Sequence, residues 1–138
     1  MKIKLEPWAY MPERAHTTDA GADLRVPYNT TIMPKSSVVI DTGVHIELPP
    51  NTMGVLKSKS GLNVKHDITT VDGVIDVGYT GSIAVKLFNH SDKPYELKAG
   101  DKITHICRNI LRPQRGQYSH RCRYRNNDSV QSLIYAGG

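Results

Sequence analysis

The stretch GVIDVGYTGSIAVKLFNHS, residues 73 to 91, decides the fold. Its second half alternates: Ile83, Val85 and Leu87 fall on one face, and Ala84, Lys86 and Phe88 on the other. That two-residue period is the mark of a strand with one face buried, and the first set is the core-facing one. The first half is different, with Asp76 and Tyr79 set among Gly73, Gly78 and Gly81. Taken alone, a carboxylate in such a place caps its turn through an Asx-type bond.

The chain on either side repeats the strand signal. KIKL, AGADLRV, TTIMP, SSVVIDTGVHIELPP and MGVLKSK precede the stretch and KPYELKAGDKITHI follows it, with Gly, Pro, Asn and Asp between the runs. Asp41-Thr42-Gly43 is the expected turn between two strands. Short apolar runs at this spacing predict an all-β sandwich or barrel-like fold. One short helix fits at SGLNVKHD, with Ser60 placed to cap its start. No long 3.6-residue period, internal repeat or low-complexity linker interrupts this pattern.

Composition sets further bounds. A chain of 138 residues makes one domain, and with one Trp and one Phe its core must come from Val, Ile, Leu and Tyr. No apolar run is long enough to span a bilayer, and MKIKLEPW reads as a first strand rather than a leader, so no membrane partner and a cytoplasmic address are expected. Cys107 and Cys122, without CxxC spacing, read as two free thiols and not as a zinc site. The histidines at 16, 45, 66, 90 and 120 have no ligand spacing and read as ordinary polar residues. Charge divides the chain in two: residues 1–107 hold 12 Lys+Arg against 12 Asp+Glu, while residues 108–138 hold six Arg and only Asp128. We therefore expect a β domain over 1–107 and an Arg-rich C-terminal arm over 108–138 that carries the net +5.

Four segments together carry a pattern that none carries alone. AGADL (20–24), KSKSGL (57–62), GVIDVGYTG (73–81) and AGDKITHI (99–106) resemble, in this order and spacing, four of the five motifs of the trimeric dUTPase family. The resemblance covers about residues 8 to 107, and ILRP (110–113) also looks family-like. It implies a distorted jelly-roll fold with one short helix, assembled as a homotrimer with three sites at subunit interfaces. It implies hydrolysis of dUTP to dUMP and pyrophosphate through attack of water at the α-phosphorus, assisted by Mg²⁺.

The resemblance also implies roles. Asp76 would be the general base that orients and deprotonates the water. Tyr79 would pack against the deoxyribose and leave no room for a 2′-hydroxyl. Backbone groups of a tight hairpin at Thr70, Gly73, Val74 and Ile75 would read uracil, with Ala84 beside them, and the glycines would let the backbone approach the ligand. Lys59, Ser60 and Gly61 match the family's Arg-Ser-Gly and would bind phosphates at a helix start. Asp23 would reach a hydrated Mg²⁺ through water. His105 stands where the family usually has Gln, facing the phosphates.

The chain departs from the family in three places. Lys59 replaces Arg and loses its bidentate fork, and His105 brings a titratable ring. The fifth motif, a Gly-rich arm bearing a Phe that closes over the substrate, is not recognisable, since Phe88 is the only Phe. Two other readings follow. A dCTP deaminase shares the fold but needs a glutamate proton shuttle where this chain has Lys86. A non-catalytic regulatory protein could use the scaffold with its basic tail, in which Arg alternates with Tyr118 and Tyr124 in a way compatible with nucleic-acid contacts. Arg-rich ends of this length are more often solvated.

Overall fold

The computed structural model describes residues 1–111, within which eleven strands and one helix are formed. The strands are β1 (Lys2–Leu5), β2 (Gly21–Arg25), β3 (Thr30–Ile32), β4 (Ser37–Asp41), β5 (Val44–Glu47) and β6 (Thr52–Ser58). After the helix α1 (Ser60–His66) come β7 (Ile68–Thr70), β8 (Gly73–Ile75), β9 (Ala84–Asn89), β10 (Tyr95–Leu97) and β11 (Lys102–Ile110). Every pairing is antiparallel, in a four-stranded sheet β2-β11-β6-β8, a three-stranded sheet β4-β9-β7, and the ribbons β1-β5 and β10-β3. Sequence neighbours seldom pair, so the chain crosses repeatedly between sheets, as in a jelly roll.

The alternation of residues 83–88 places β9 as expected. Ile83, Val85 and Leu87 are at most 2% exposed, whereas Ala84 and Lys86 face outward. They join one apolar cluster with Leu24, Ile40, Ile68 and Ile103, each such side chain contributing about 1.5–3 kcal/mol by its burial. Two polar residues inside this cluster are fully used. Asn89, with no exposed surface, donates to the carbonyls of Ile32 (3.0 Å) and Lys93 (2.7 Å) and accepts from the amide and hydroxyl of Ser91. It thereby ends β9, shapes the following turn and ties it to β3. Thr42 donates to the Ile83 carbonyl (2.7 Å) and accepts from the Val44 amide, fastening the 41–43 turn to the entrance of β9.

That turn is a corner and not a hairpin, because β4 pairs with β9 while β5 pairs with β1. Gly43 makes it possible: its φ is +68°, and a Cβ there would meet the Trp8 ring at 2.7 Å.

Two local expectations are corrected. Ser60 is the first helical residue, and Lys59, extended at φ −79° and ψ 127°, holds the N-cap position without a side-chain bond. The Lys59 ammonium has no acceptor to offer the first N–H groups of the helix and makes an ion pair described below instead. Residues 70–76 do not form a hairpin, since β7 joins β9 and β8 joins β6. The Val71 amide continues toward β9 by donating to the Lys86 carbonyl (2.8 Å). The charge break at residue 108 falls inside β11, Cys107 is a free thiol, and the arm from residue 112 onward, with Cys122, lies outside the described residues. No helix among the described residues is long and apolar enough to cross a membrane.

Candidate active site

β8 is the edge strand of the four-stranded sheet, and a cleft of about 180 Å³ opens beside it. Gly73, Val74, Ile75, Asp76, Tyr79 and Ala84 line it, with Leu56 and Ile83 as its floor. Among the described residues β8 is paired along one edge, to β6, and its other edge presents backbone N–H and C=O groups outward. The volume falls below the roughly 300–1,000 Å³ of sites that enclose a whole small ligand, so the cleft suits part of one.

The turn that brings Asp76 and Tyr79 to this cleft is held by its own backbone and by the 41–43 corner. The Tyr79 amide donates to the Asp76 carbonyl (3.0 Å), and the Tyr79 hydroxyl donates to the Ser82 carbonyl (2.8 Å). The phenol lies over Gly81 so closely that a Cβ there would sit 2.6 Å from Oη and 2.8 Å from Cζ. The Ser82 hydroxyl donates to Asp41, which also accepts from the Gly43 amide (3.0 Å). The Ser82 bond, then that of Gly43, hold the Asp41 carboxyl below the ordinary carboxylate range against the opposing effect of burial.

A second group of side chains gathers on the other half of the sheet. Asp23 on β2 is opposite His105 on β11, and His105 is opposite Lys57 on β6. The Asp23 side chain is only 4% exposed, and both its oxygens are taken: Lys59 Nζ lies 2.5 Å from Oδ1 and Lys102 Nζ 2.7 Å from Oδ2. Burial pushes the Asp23 pKa up, but the hydrogen bonds and charges of Lys102 and Lys59 outweigh it and the net direction is down. His105 Nδ1 is 3.0 Å from Asp23 Oδ1 but off the angle of a hydrogen bond, which leaves Nδ1 buried without a partner. Its Nε2 lies 3.4 Å from Lys59 Nζ. Burial first, then the Lys59 charge, pushes the His105 pKa below its ordinary value, with the Asp23 charge opposing.

A β-edge cleft with a carboxylate and a tyrosine, and a separate cluster of cations around an aspartate, can be compared with known proteins. A family model described as dUTPase matches residues 8–129. The chain belongs to the dUTPase family. Its curated relatives include the deoxyuridine 5′-triphosphate nucleotidohydrolases of Gloeothece citriformis, 40% identical over 75% of this chain and 72% of theirs, and of Mus musculus, 38% identical over 80% and 69%. Among solved structures, a mutant dUTPase from phage phi11 of S. aureus, described with a structural Mg(II) ion, aligns with TM-score 0.74 at 27% identity over 80% of this chain and 90% of that one. A Staphylococcus bacteriophage 80alpha dUTPase mutant with bound dUpNHpp aligns with TM-score 0.75 at 25% identity over the same shares.

Within this dUTPase chain the expected residues fall into separate places. Gly73, Val74, Ile75, Asp76, Tyr79 and Ala84 share the cleft. Lys59 and His105 meet at Asp23, with Ser60 and Gly61 in the exposed first turn of α1. Thr70 joins neither group: it is 7% exposed, its amide accepted by Ser58 Oγ (2.9 Å) and its hydroxyl donating to Thr104 (3.0 Å). Gly81 makes room for the Tyr79 ring, whereas a Cβ at Gly78 would meet nothing within 4 Å. Sequence reasoning missed Lys102, Asp41 and Ser82. Lys102 could have been found, since it stands inside the AGDKITHI segment.

A hydrated magnesium ion held by Asp23 would need a carboxylate oxygen open to water. Both oxygens are occupied by ammonium groups, the side chain is shielded, and two positive charges flank it. These residues do not fit a metal anchored at Asp23.

Proposed function

We propose that this protein hydrolyses dUTP to dUMP and pyrophosphate, with uracil and deoxyribose held in the cleft beside β8. The observation that carries the reading is the cleft itself, where an open strand edge, Asp76 and Tyr79 converge. The unpaired edge of β8 would hydrogen-bond the edge of a planar base, and Tyr79 would cover the sugar. Asp76, exposed at the mouth, would take the proton from the water that attacks the α-phosphorus, while the electrons of the breaking P–O bond leave with pyrophosphate. Lys59 and Lys102 each spend part of their three-donor capacity on Asp23 and keep the rest for phosphate oxygens. The first N–H groups of α1, at Ser60 and Gly61, have no intrahelical partner and add further donors.

These two halves belong to different subunits in our reading. Asp23 lies three strands from β8, about 14 Å across the sheet. Asp76 follows Ile75, which is opposite Gly54, so it stands four residue positions along β6 from the Asp23–His105–Lys57 row, about 13 Å. The resulting separation of roughly 20 Å is too long for one chain to offer both halves to neighbouring phosphates of one substrate. A homotrimer that apposes the cleft of one subunit to the lysine cluster of the next removes the difficulty. Exposed apolar side chains such as Val39, Ile110 and Leu111 supply surface for that association.

The test is subunit mixing. Asp76→Asn and Lys59→Ala should each be inactive alone, the first losing at least about 100-fold in kcat with nucleotide affinity kept. Unfolded and refolded together in equal amounts, they should recover about a quarter of wild-type pyrophosphate release, because one site in four then combines two intact halves. No recovery would overturn the shared site. No turnover of dUTP by the wild type, with dUTP still bound, would favour the regulatory reading instead.

A further inference from the structure

The turn at 77–80, which carries Tyr79, also borders a second cleft of about 390 Å³, lined across from it by β1 and β5 and by no residue of β8. Across that hollow one side chain reaches it from the body of the domain. His45, on β5, places Nδ1 2.9 Å from the Thr80 carbonyl and Nε2 2.9 Å from Glu6 Oε1. Both partners are acceptors only: a carbonyl has no proton to give, and neither has an ionised carboxylate. A neutral imidazole carries one N–H and can make one of these bonds, whereas an imidazolium makes both. We propose that Glu6, His45 and Thr80 form a proton-dependent latch that sets the position of Tyr79, so that the cleft beside β8 is firm while His45 is protonated and loosens when it is not. His45 is thus a positioning residue, acting on the ligand only through the turn. The effect on ligand rests on the reading of the β8 cleft as the nucleoside site, whereas the latch itself does not.

Among the described residues, the charged groups around His45 lie on β1, on β5, at the 41–43 corner and at Glu6. Lys4 stands directly across the β1–β5 ladder from it, and Lys2 pairs with Glu47 two positions further along (3.6 Å). Asp41 faces it from the corner, and Glu6 touches it. The Thr80 bond first, then the Glu6 bond and charge, raise the pKa of His45 above its ordinary 6.5, with burial and Lys4 opposing. A raised folded pKa means that the stabilisation is complete below the unfolded value and is lost as pH rises through the folded one. The latch therefore opens as pH rises through a midpoint above the ordinary 6.5.

The full-length protein, free of nucleotide, should be titrated by NMR from about pH 5.5 to about pH 8.5, the range in which histidine changes charge. The His45 ring should titrate above 6.5, and the Tyr79 and Thr80 amides should follow with the same midpoint. Glu6→Gln should lower that midpoint, and His45→Gln should leave both amides flat. Amides that ignore the His45 titration, or a wild-type His45 that titrates at or below 6.5, would overturn the latch. Deoxyuridine, which has no phosphate to titrate, then serves as the binding probe. Its affinity should fall about two- to fivefold across the His45 midpoint in the wild type and stay level in His45→Gln. An equal fall in both proteins would overturn the coupling to the cleft. Deoxyuridine that fails to bind at any pH, while the amides still follow His45, would overturn the nucleoside assignment and leave the latch supported.

Discussion

Two glycines three residues apart should respond in opposite ways to the same added methyl group. A Cβ at Gly81 would lie 2.6 Å from Tyr79 Oη and 2.8 Å from Cζ, whereas one at Gly78 would meet nothing within 4 Å. Gly81→Ala can relieve its clash in two ways. Compressing the turn costs about 1–3 kcal/mol, as for an overpacked interior. Swinging the phenol outward gives up its hydrogen bond to the Ser82 carbonyl, about 0.5–1.5 kcal/mol. Tyr79 is 45% exposed and its outward swing gives up only that bond, so the second route wins. Alanine also stiffens the unfolded chain, worth about 0.4–1 kcal/mol, so the two effects nearly cancel and Tm should change little. Function should not be spared, because the displaced ring no longer covers the sugar. We expect the KM for dUTP to rise about tenfold, equivalent to about 1.4 kcal/mol of lost binding, and the preference for dUTP over UTP to fall with it. Gly78→Ala should keep KM within about twofold and be slightly more stable. Pyrophosphate release at varied dUTP and UTP concentrations, with a thermal melt of each variant, decides the matter. Unchanged KM and sugar preference in Gly81→Ala, or equal damage from Gly78→Ala, would refute the reasoning.

Other consequences follow from the buried polar groups. Asp23→Asn leaves two ammoniums without their carboxylate and should cost about 2–3 kcal/mol in urea unfolding at neutral pH. That is less than the roughly 3–5 kcal/mol of a fully buried pair, because Lys102 is 36% exposed and can turn to solvent. Since the folded pKa of Asp23 is lowered, its contribution is present above the unfolded value and lost as pH falls through the folded one, so wild type and variant should converge in acid. A difference that does not shrink would count against the ion pairs. If Asp23 holds lysines and not a metal, Asp23→Asn should change the affinity for a non-hydrolysable dUTP analogue by the same factor with Mg²⁺ and with EDTA, whereas a loss confined to Mg²⁺ would restore the metal role. Asn89→Ala strands the carbonyls of Ile32 and Lys93 and should cost about 2–4 kcal/mol by urea unfolding, with no change in KM for dUTP.

The amino-acid order alone determined what depends on short-range pattern. The alternation of Ile83, Val85 and Leu87 was enough to place β9, because burial of one face selects one register. The four motif segments were enough to identify the family and to single out Asp76, Tyr79, Lys59 and His105, since each motif is contiguous along the chain. Tertiary structure decided everything that depends on which strands become neighbours. Pairing of β8 with β6 and of β7 with β9 turned an expected hairpin into an open strand edge and took Thr70 inside. The meeting of β2, β11 and β6 put Lys59 and Lys102 on Asp23, one ammonium against each oxygen of a side chain that is only 4% exposed, which does not fit a hydrated metal there. His45 read as an ordinary polar residue because its partners lie 39 positions upstream and 35 downstream. A hydrogen bond acts over about 3 Å of space and is indifferent to separation along the chain, so only the folded arrangement could reveal it.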